Sequence, residues 1–452
     1  MPGLGWKAKG SRLAGRQNGR QRDASTGPVP EFMNLLRILP LIAIAAAPVL
    51  GAETDIAATA VNALGLDLHR QLAASGGNTC LSPYSIQISL AMAYAGASGT
   101  TRDEMARVLH YPDDEAVLDA SLAALNDRLA AMQVRSERLA TQDNEEDEAQ
   151  SAYTFHLANR LYGQKGFEFR PEFVALLGTR FRALPEALDF ARDPEMAAAQ
   201  INDWVTAQTH NRILDLVAPG DFGPDARIML VSALYLKASW SGAFDRVATK
   251  RRPFYVSDQT PVDVPTLHKQ HYFGYRRLPG FSAVTLPYRG GALQFLVLVP
   301  DAKDGLTAVE ANLTQESLRE FASLPARDVD LYLPKFKLQP AAVQLSAALE
   351  LLGMKTAFDR PRGSADFDRM APQRAANGYL YISAVFHKTF IAIDESGTEA
   401  AAASSIALMT FGVSAERPTP PIVVRVDRPF FYAIQDVSSG ACLFMGRVVD
   451  PR

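Results

Sequence analysis

Cysteine is almost absent from these 452 residues: only Cys80 and Cys442 occur, with no Cys-x-x-Cys spacing. That excludes a dense disulfide scaffold and a cysteine-ligated structural zinc site. Histidine is scarce, seven residues in all. His-Glu-x-x-His, the Gly-x-Ser-x-Gly elbow, the P-loop and the dinucleotide-binding fingerprint are all missing. There is no excess charge of one sign either. With 46 basic against 49 acidic side chains, the net charge of −3 gives nucleic acid or an anionic membrane no reason to bind. The one long apolar run, Ile38 to Leu50, is too short for a spanning helix. His268 and His271 flank Lys269 at His-x-x-His spacing, but His210 is their only near neighbour of that kind, and a solvated loop or strand reads better than a metal site. His387, inside the apolar run Ile382 to Ile391, is either a hydrogen-bonded core residue or a catalytic base. No enzyme chemistry, metal or cofactor emerges.

What is present is a globular composition, 48% hydrophobic and 21% charged. Residues 1–32 are polar and basic without apolar periodicity, which predicts a disordered or mis-assigned leader. Residues 33–52, with Arg37 before the apolar run and Gly51-Ala52 after it, have the pattern of a secretory signal peptide. One domain over 53–452 follows, and export from the cytosol into an extracellular or periplasmic space. That compartment permits a Cys80–Cys442 bridge, although two separate buried thiols fit equally. Helical periodicity is expected over Ile56–Ser75, Ser85–Ala95, from Thr101 with Glu104 at capping-box spacing, and over Asp114–Leu129. The charged run 134–150 reads as a solvated loop. Further helices are expected over Pro171–Phe181, Pro194–His210, Leu313–Ser323 and Leu345–Leu352. Strands dominate from Ala226 onward, among them 379–394, 422–427, 429–435 and 441–449. Helices early and strands late, with no βαβ rhythm, indicate an α+β fold.

The stretch from 395 to 421 stands apart. Gly397-Thr398-Glu399 leads into Ala400, Ala401, Ala402 and Ala403, then Ser404-Ser405 and Ile406 to Phe411. Gly412 to Pro421 is rich in proline. A connection this long between two strand-like runs is usually functional or disordered. Alanine also favours helix, and Thr398 to Met409 could be a surface helix. Yet Thr398, Ala400, Ala402, Ser404, Ile406 and Leu408 fall on one side of a period-2 pattern, and all are small or apolar. The segment can enter a sheet without burying a charge.

Several motifs together resemble the serpin family. They are Val424 to Ile434 with Pro429-Phe430, Phe444 to Pro451, and Asn78 to Ile86. Ile201-Asn202-Asp203-Trp204-Val205, Val231 to Trp240 and Leu333-Pro334-Lys335-Phe336 complete the set. The resemblance spans Asp55 to Pro451 and implies three β-sheets, eight or nine helices and an exposed reactive-centre loop. It implies a suicide substrate rather than an enzyme: loop cleavage, insertion of the freed loop into the main sheet, and covalent trapping of the protease. Gly397 to Ala403 resembles the hinge of inhibitory members. Ser82, Ser85, Asn202, Ser232 and His387 resemble a polar cluster where the sheet opens; Ser232 departs from the asparagine of many members. Lys335 and Glu395 resemble an ion pair at the top of the sheet, with Trp240 packed there. The family's spacing from Gly397 puts the bait bond at Phe411–Gly412, with Met409, Thr410 or Arg417 as alternatives. The implied partner is a chymotrypsin-like, elastase-like or subtilisin-like serine protease, or a cysteine protease, met by a monomer. A non-inhibitory binding or chaperone-like protein of the same fold is the other reading.

Overall fold

The computed structural model describes residues 51–142, 153–257, 260–372, 378–399 and 420–452. The leader over 1–32 and all but the last two residues of the signal segment lie outside them. Nine α-helices lie among the described residues. They begin with α1 (Gly51–Ala73), α2 (Pro83–Gly96), α3 (Gly99–Val108), α4 (Glu115–Gln142) and α5 (Pro171–Arg180). They continue with α6 (Pro194–Gln208), α7 (Leu306–Ala311), α8 (Gln315–Phe321) and α9 (Ser346–Leu351).

Local chemistry sets their starts. Ser82 accepts from the Ser85 amide and Pro83 takes the first turn of α2, where its missing N–H costs nothing. Asp193 and Pro194 do the same for α6. The expected Thr101–Glu104 capping box does not form. α3 starts two residues earlier, and Glu104 instead accepts from the Lys355 and Thr356 amides across the fold. Nor is the charged run a loop throughout: α4 continues to Gln142, because nothing between Glu115 and Gln142 is a proline or glycine. Residues 143–150 lie outside the described residues.

The strands are β1 (Thr79–Leu81), β2 (Tyr153–Gln164), β3 (Glu186–Leu188), β4 (Ile228–Ser239), β5 (Lys250–Ser257) and β6 (Thr260–Leu278). Next come β7 (Phe281–Pro287), β8 (Leu293–Pro300), β9 (Ala326–Pro334), β10 (Phe336–Leu338), β11 (Val343–Gln344) and β12 (Ile382–Thr389). The last are β13 (Ile391–Ile393), β14 (Gly397–Thr398), β15 (Ile422–Arg425), β16 (Phe430–Asp436) and β17 (Cys442–Val448). One hydrogen-bonded network runs β1-β17-β16-β8-β7-β6-β9-β15, with β5 beside β6. β6, 19 residues long, pairs first with β5 and β9 and then with β7, so it joins two of the expected sheets through one strand. The other sheet runs β10-β13-β14-β4-β12-β11 and continues through β2 and β3.

β4 is the spine of that second sheet. Leu230, Leu234 and Leu236 face the main core, which includes Ile86 and Ile88 of α2. Met229, Val231 and Ala233 face a second core with Ile201 and Val205 of α6. A strand buried on both faces must be apolar nearly throughout, as Ala226 to Lys237 is. β4 pairs antiparallel with β2 but parallel with β12, from Ile382 against Ile228 to Thr389 against Leu234.

Candidate functional site

Above the last β4–β12 pair the two strands part, and the hinge lies between them. Thr398 pairs antiparallel with Ala238 of β4 and with Ile393 of β13; Gly397 pairs with Ser239. Gly397 has to be glycine: a Cβ there would stand 2.0 Å from the Ala238 carbonyl oxygen. Thr398 points inward, 1% exposed, and its hydroxyl shares a hydrogen bond with the Tyr288 hydroxyl. Tyr288 stacks on Trp240, with ring centroids 4.6 Å apart and planes 6° from parallel. Trp240 is fixed in turn, since its backbone N–H donates to the Ser396 carbonyl and its indole N–H to the Asp394 carbonyl, both at 2.9 Å. Lys335 and Glu395 form the anticipated ion pair at 2.7 Å. Burial pushes the Glu395 carboxyl up, but the Lys335 ammonium and other donors outweigh it and hold the group below its usual range. The described segment ends at Glu399, whose φ is +47°. Ala400, Ala401, Ala402 and Ala403, the expected bait pair Phe411 and Gly412, and the alternatives Met409, Thr410 and Arg417 lie outside the described residues.

Lower in the sheet, one row crosses three strands: Asn159 of β2 pairs with Ser232 of β4, and Ser232 with His387 of β12. The Ser82 amide donates to His387 Nε2 at 3.0 Å, which puts the ring proton on Nδ1. From there it reaches the Ser232 carbonyl at 3.1 Å and the Ser232 hydroxyl at 3.0 Å. The Ser232 hydroxyl lies 2.8 Å from that of Ser85, and the Ser85 hydroxyl donates to Asn159 Oδ1 at 2.7 Å. Burial pushes the His387 imidazole down to about 4. It is therefore a neutral tie between α2, β4 and β12.

Asn202 does not belong to this cluster. It sits on α6, accepts from the Leu216 and Val217 amides and donates to the Val217 carbonyl, so it anchors the segment that leads from α6 to β4. Asn159 takes part instead. Its signal was in the strand alternation, because Tyr153, Phe155, Leu157 and Leu161 share its side and are apolar. Tyr288 and Arg212, which also touch the hinge, had no such signal. Cys80 and Cys442 are separate buried thiols. Cys80 pairs with Gly446, four residues along β17 from Cys442, or about 13 Å at strand rise, too far to bridge. Burial pushes these thiols up to about 11 and about 12. His268 bonds Asp330 and stacks on Tyr332, and the described residues hold no group of three that could bind a metal.

The family model described as serpin, serine protease inhibitor, matches residues 59–451. An uncharacterized serpin-like protein of Thermococcus kodakarensis is 34% identical over 396 residues, covering 87% of this chain and 85% of its own. Serpin B10 of Homo sapiens is 31% identical over 408 residues, covering 88% of this chain and all of its own. The crystal structure of Serpin48, a highly specific serpin of the insect Tenebrio molitor, gives a TM-score of 0.70 at 29% identity, over 88% of this chain and 98% of its own. Uncleaved ovalbumin gives 0.71 at 25% identity, over 87% and 100%. The parted main sheet, the seated hinge and these matches along nearly all of the described chain lead to one conclusion: the chain belongs to the serpin family.

Proposed function

We propose that the protein is a secreted suicide-substrate inhibitor of a serine endopeptidase, with Phe411–Gly412 as its bait bond. The observation that carries this reading is the hinge strand: Gly397–Thr398 already lies antiparallel to β4 above a β4–β12 ladder that is parallel. A parallel ladder is slightly weaker per residue than an antiparallel one. Opening it and continuing the hinge downward replaces one parallel ladder with two antiparallel ones. The uncut loop is tied at both ends, at β14 and at β15, and cannot follow that path. In the proposed reaction the protease serine attacks the Phe411 carbonyl. The bond to the Gly412 nitrogen breaks, Gly412 leaves as an amine, and an ester joins Phe411 to the enzyme. The released strand then enters the sheet with the enzyme attached, before water can hydrolyse the ester. An aromatic bait suits a chymotrypsin-like pocket; cutting at Met409 or Thr410 would suit elastase- or subtilisin-like enzymes. A thiol protease would form the corresponding thioester.

The test mixes the mature protein with chymotrypsin, with pancreatic elastase and with subtilisin, followed by a denaturing gel and mass spectrometry of the released peptide. A complex that survives denaturation, with a peptide beginning at Gly412, is expected. Complete cleavage without a complex across chymotrypsin-, elastase- and subtilisin-type enzymes would favour the non-inhibitory reading.

A further inference from the structure

The sheet-paired hinge segment is pinned at Glu399, the residue that follows its last pair. Glu399 adopts a left-handed conformation that is unfavourable for a side chain with a Cβ. Its amide donates to the Ala392 carbonyl at 2.9 Å. Its carboxylate, 12% exposed, meets Arg212 with Nε 2.5 Å from Oε1, while buried Oε2 has no hydrogen-bond partner among the described residues. Arg212 belongs to the segment between α6 and β4, and that segment is strained too: His210, Asn211 and Asp215 have φ of +49°, +61° and +49°. Asn202 and Lys388 hold its later part. Near Arg212 the backbone is held to the end of α6, the Arg212 amide donating to the Thr209 carbonyl at 2.9 Å and the Ile213 amide to the Thr209 hydroxyl at 3.1 Å. A pair of imidazoles ties this turn across to β2, His210 Nε2 lying 2.9 Å from His156 Nε2. Both rings lie against Tyr235 of β4. Two such nitrogens share one proton, so the contact exists only while one ring is neutral.

We propose that this segment is a proton-operated latch: Arg212 holds Glu399 and so keeps Gly397–Thr398 in the sheet, and the His156–His210 bond keeps Arg212 in place until both rings are protonated. The value of such a latch rests on the inhibitor reading, since a hinge that leaves the sheet lengthens the loop offered to a protease. Its geometry does not depend on that reading.

Tyr235 of β4 lies against the imidazole pair, and the charged groups acting on Glu399 are Arg212 of the same segment, Lys237 of β4 and Lys337 of β10. Burial lowers His156, and His210 lowers it further. Burial raises Glu399, while Arg212, the Tyr235 hydroxyl, Lys237 and Lys337 draw it back. Burial and the Glu399 charge push the Tyr235 phenol up to about 12, which keeps it neutral. Acid therefore acts twice in one direction. A second proton on the imidazole pair adds positive charge beside Arg212, and further acidification discharges Glu399. Because burial holds His156 below the ordinary histidine value, the latch stays shut through that value and opens as pH falls below it.

Hydrogen–deuterium exchange of the full-length protein tests this, read as protection factors for the Thr398 and Glu399 amides, which removes the intrinsic pH dependence of exchange. Protection in the native sequence should fall about tenfold from about pH 7.5 to about pH 5, with its midpoint below the ordinary histidine value. Arg212→Gln, at a half-exposed site, and Glu399→Gln should be unprotected at both ends. In His156→Gln, where an uncharged acceptor still faces His210, the midpoint should move down into the carboxylate range. Protection equal to the native protein's in Arg212→Gln, or an unmoved midpoint in His156→Gln, overturns the latch. A protein that traps no protease would still give this profile if the latch exists, so the two readings fail separately.

Discussion

His387 is 1% exposed and accepts from the Ser82 amide at Nε2, so protonation there must break that bond. Its folded pKa of about 4 lies below the unfolded value, which means the unfolded chain takes up the proton first. The stabilisation is complete above about pH 6.5 and is lost as pH falls toward about 4, on the order of 3 kcal/mol over that window. Denaturant midpoints recorded across it should drop in the native protein, and His387→Asn should flatten that part of the profile. Thr398 permits a second residue-scale prediction. It is buried against Tyr288, and arginine there would carry its charge into the aromatic pocket with Trp240. Thr398→Arg is expected to be cleaved like a substrate with at least a tenfold loss of covalent complex, read on a denaturing gel; an unchanged yield would remove the hinge from the mechanism. The sequence singled out Ser82, Ser85, Ser232 and His387, which share one hydrogen-bonded row, Lys335 and Glu395, which pair, and Trp240, which stacks on the ring that meets Thr398. It could not show that Asn202 serves α6 or that Arg212 reaches the hinge. Both depend on the path of the segment after α6, and four polar or left-handed residues there carry no periodicity.

At the scale of elements, the proposed mechanism requires the seam between β4 and β12 to open. The Asn159–Ser232–His387 row crosses it, and α2 joins the row through Ser82 and Ser85. Asn159→Ala removes the acceptor of the Ser85 hydroxyl and the donor to the Ser85 carbonyl inside the core. Leaving such groups unpaired costs about 1–3 kcal/mol, and part of that cost should appear as a lower barrier to opening. The variant should lose activity faster on mild warming, without cleavage, by roughly fivefold to a hundredfold if a large part of the cost reaches the barrier. Loss at the native rate would show that the row stabilises the fold without guarding the seam. Helices and strands with strong periodicity could be placed from sequence to within a few residues, α6 and β17 among them. The end of α4 could not, because charge alone does not distinguish a solvated helix face from a loop. β14 was hidden as well: two residues have no period, and their place in the sheet is set by β4 and β13 rather than by their own chemistry.

For the molecule as a whole, the proposed mechanism makes the uncut form the less stable one. A strand of about ten residues entering the sheet gains backbone hydrogen bonds worth about 1 kcal/mol each, which would raise the thermal midpoint by roughly 10–20 °C. Calorimetry before and after nicking the loop with a protease that is not trapped should show this rise, and Thr398→Arg should not. An unchanged midpoint in the nicked native protein would mean the loop does not insert.

The first sheet has a consequence for how this protein is made. β1 pairs with β17, and the Arg447 amide donates to the Thr79 hydroxyl across 368 residues of chain. Asn62 of α1 likewise bonds both the Gly440 carbonyl and the Cys442 amide. The earliest strand therefore waits for nearly the last residues before it has a partner, roughly 20–70 s at ordinary rates of synthesis. A ribosome-bound chain cannot close this core. It remains a substrate for holding factors, and in the secreted reading for an export channel that accepts only unfolded polypeptide, until translation is almost over.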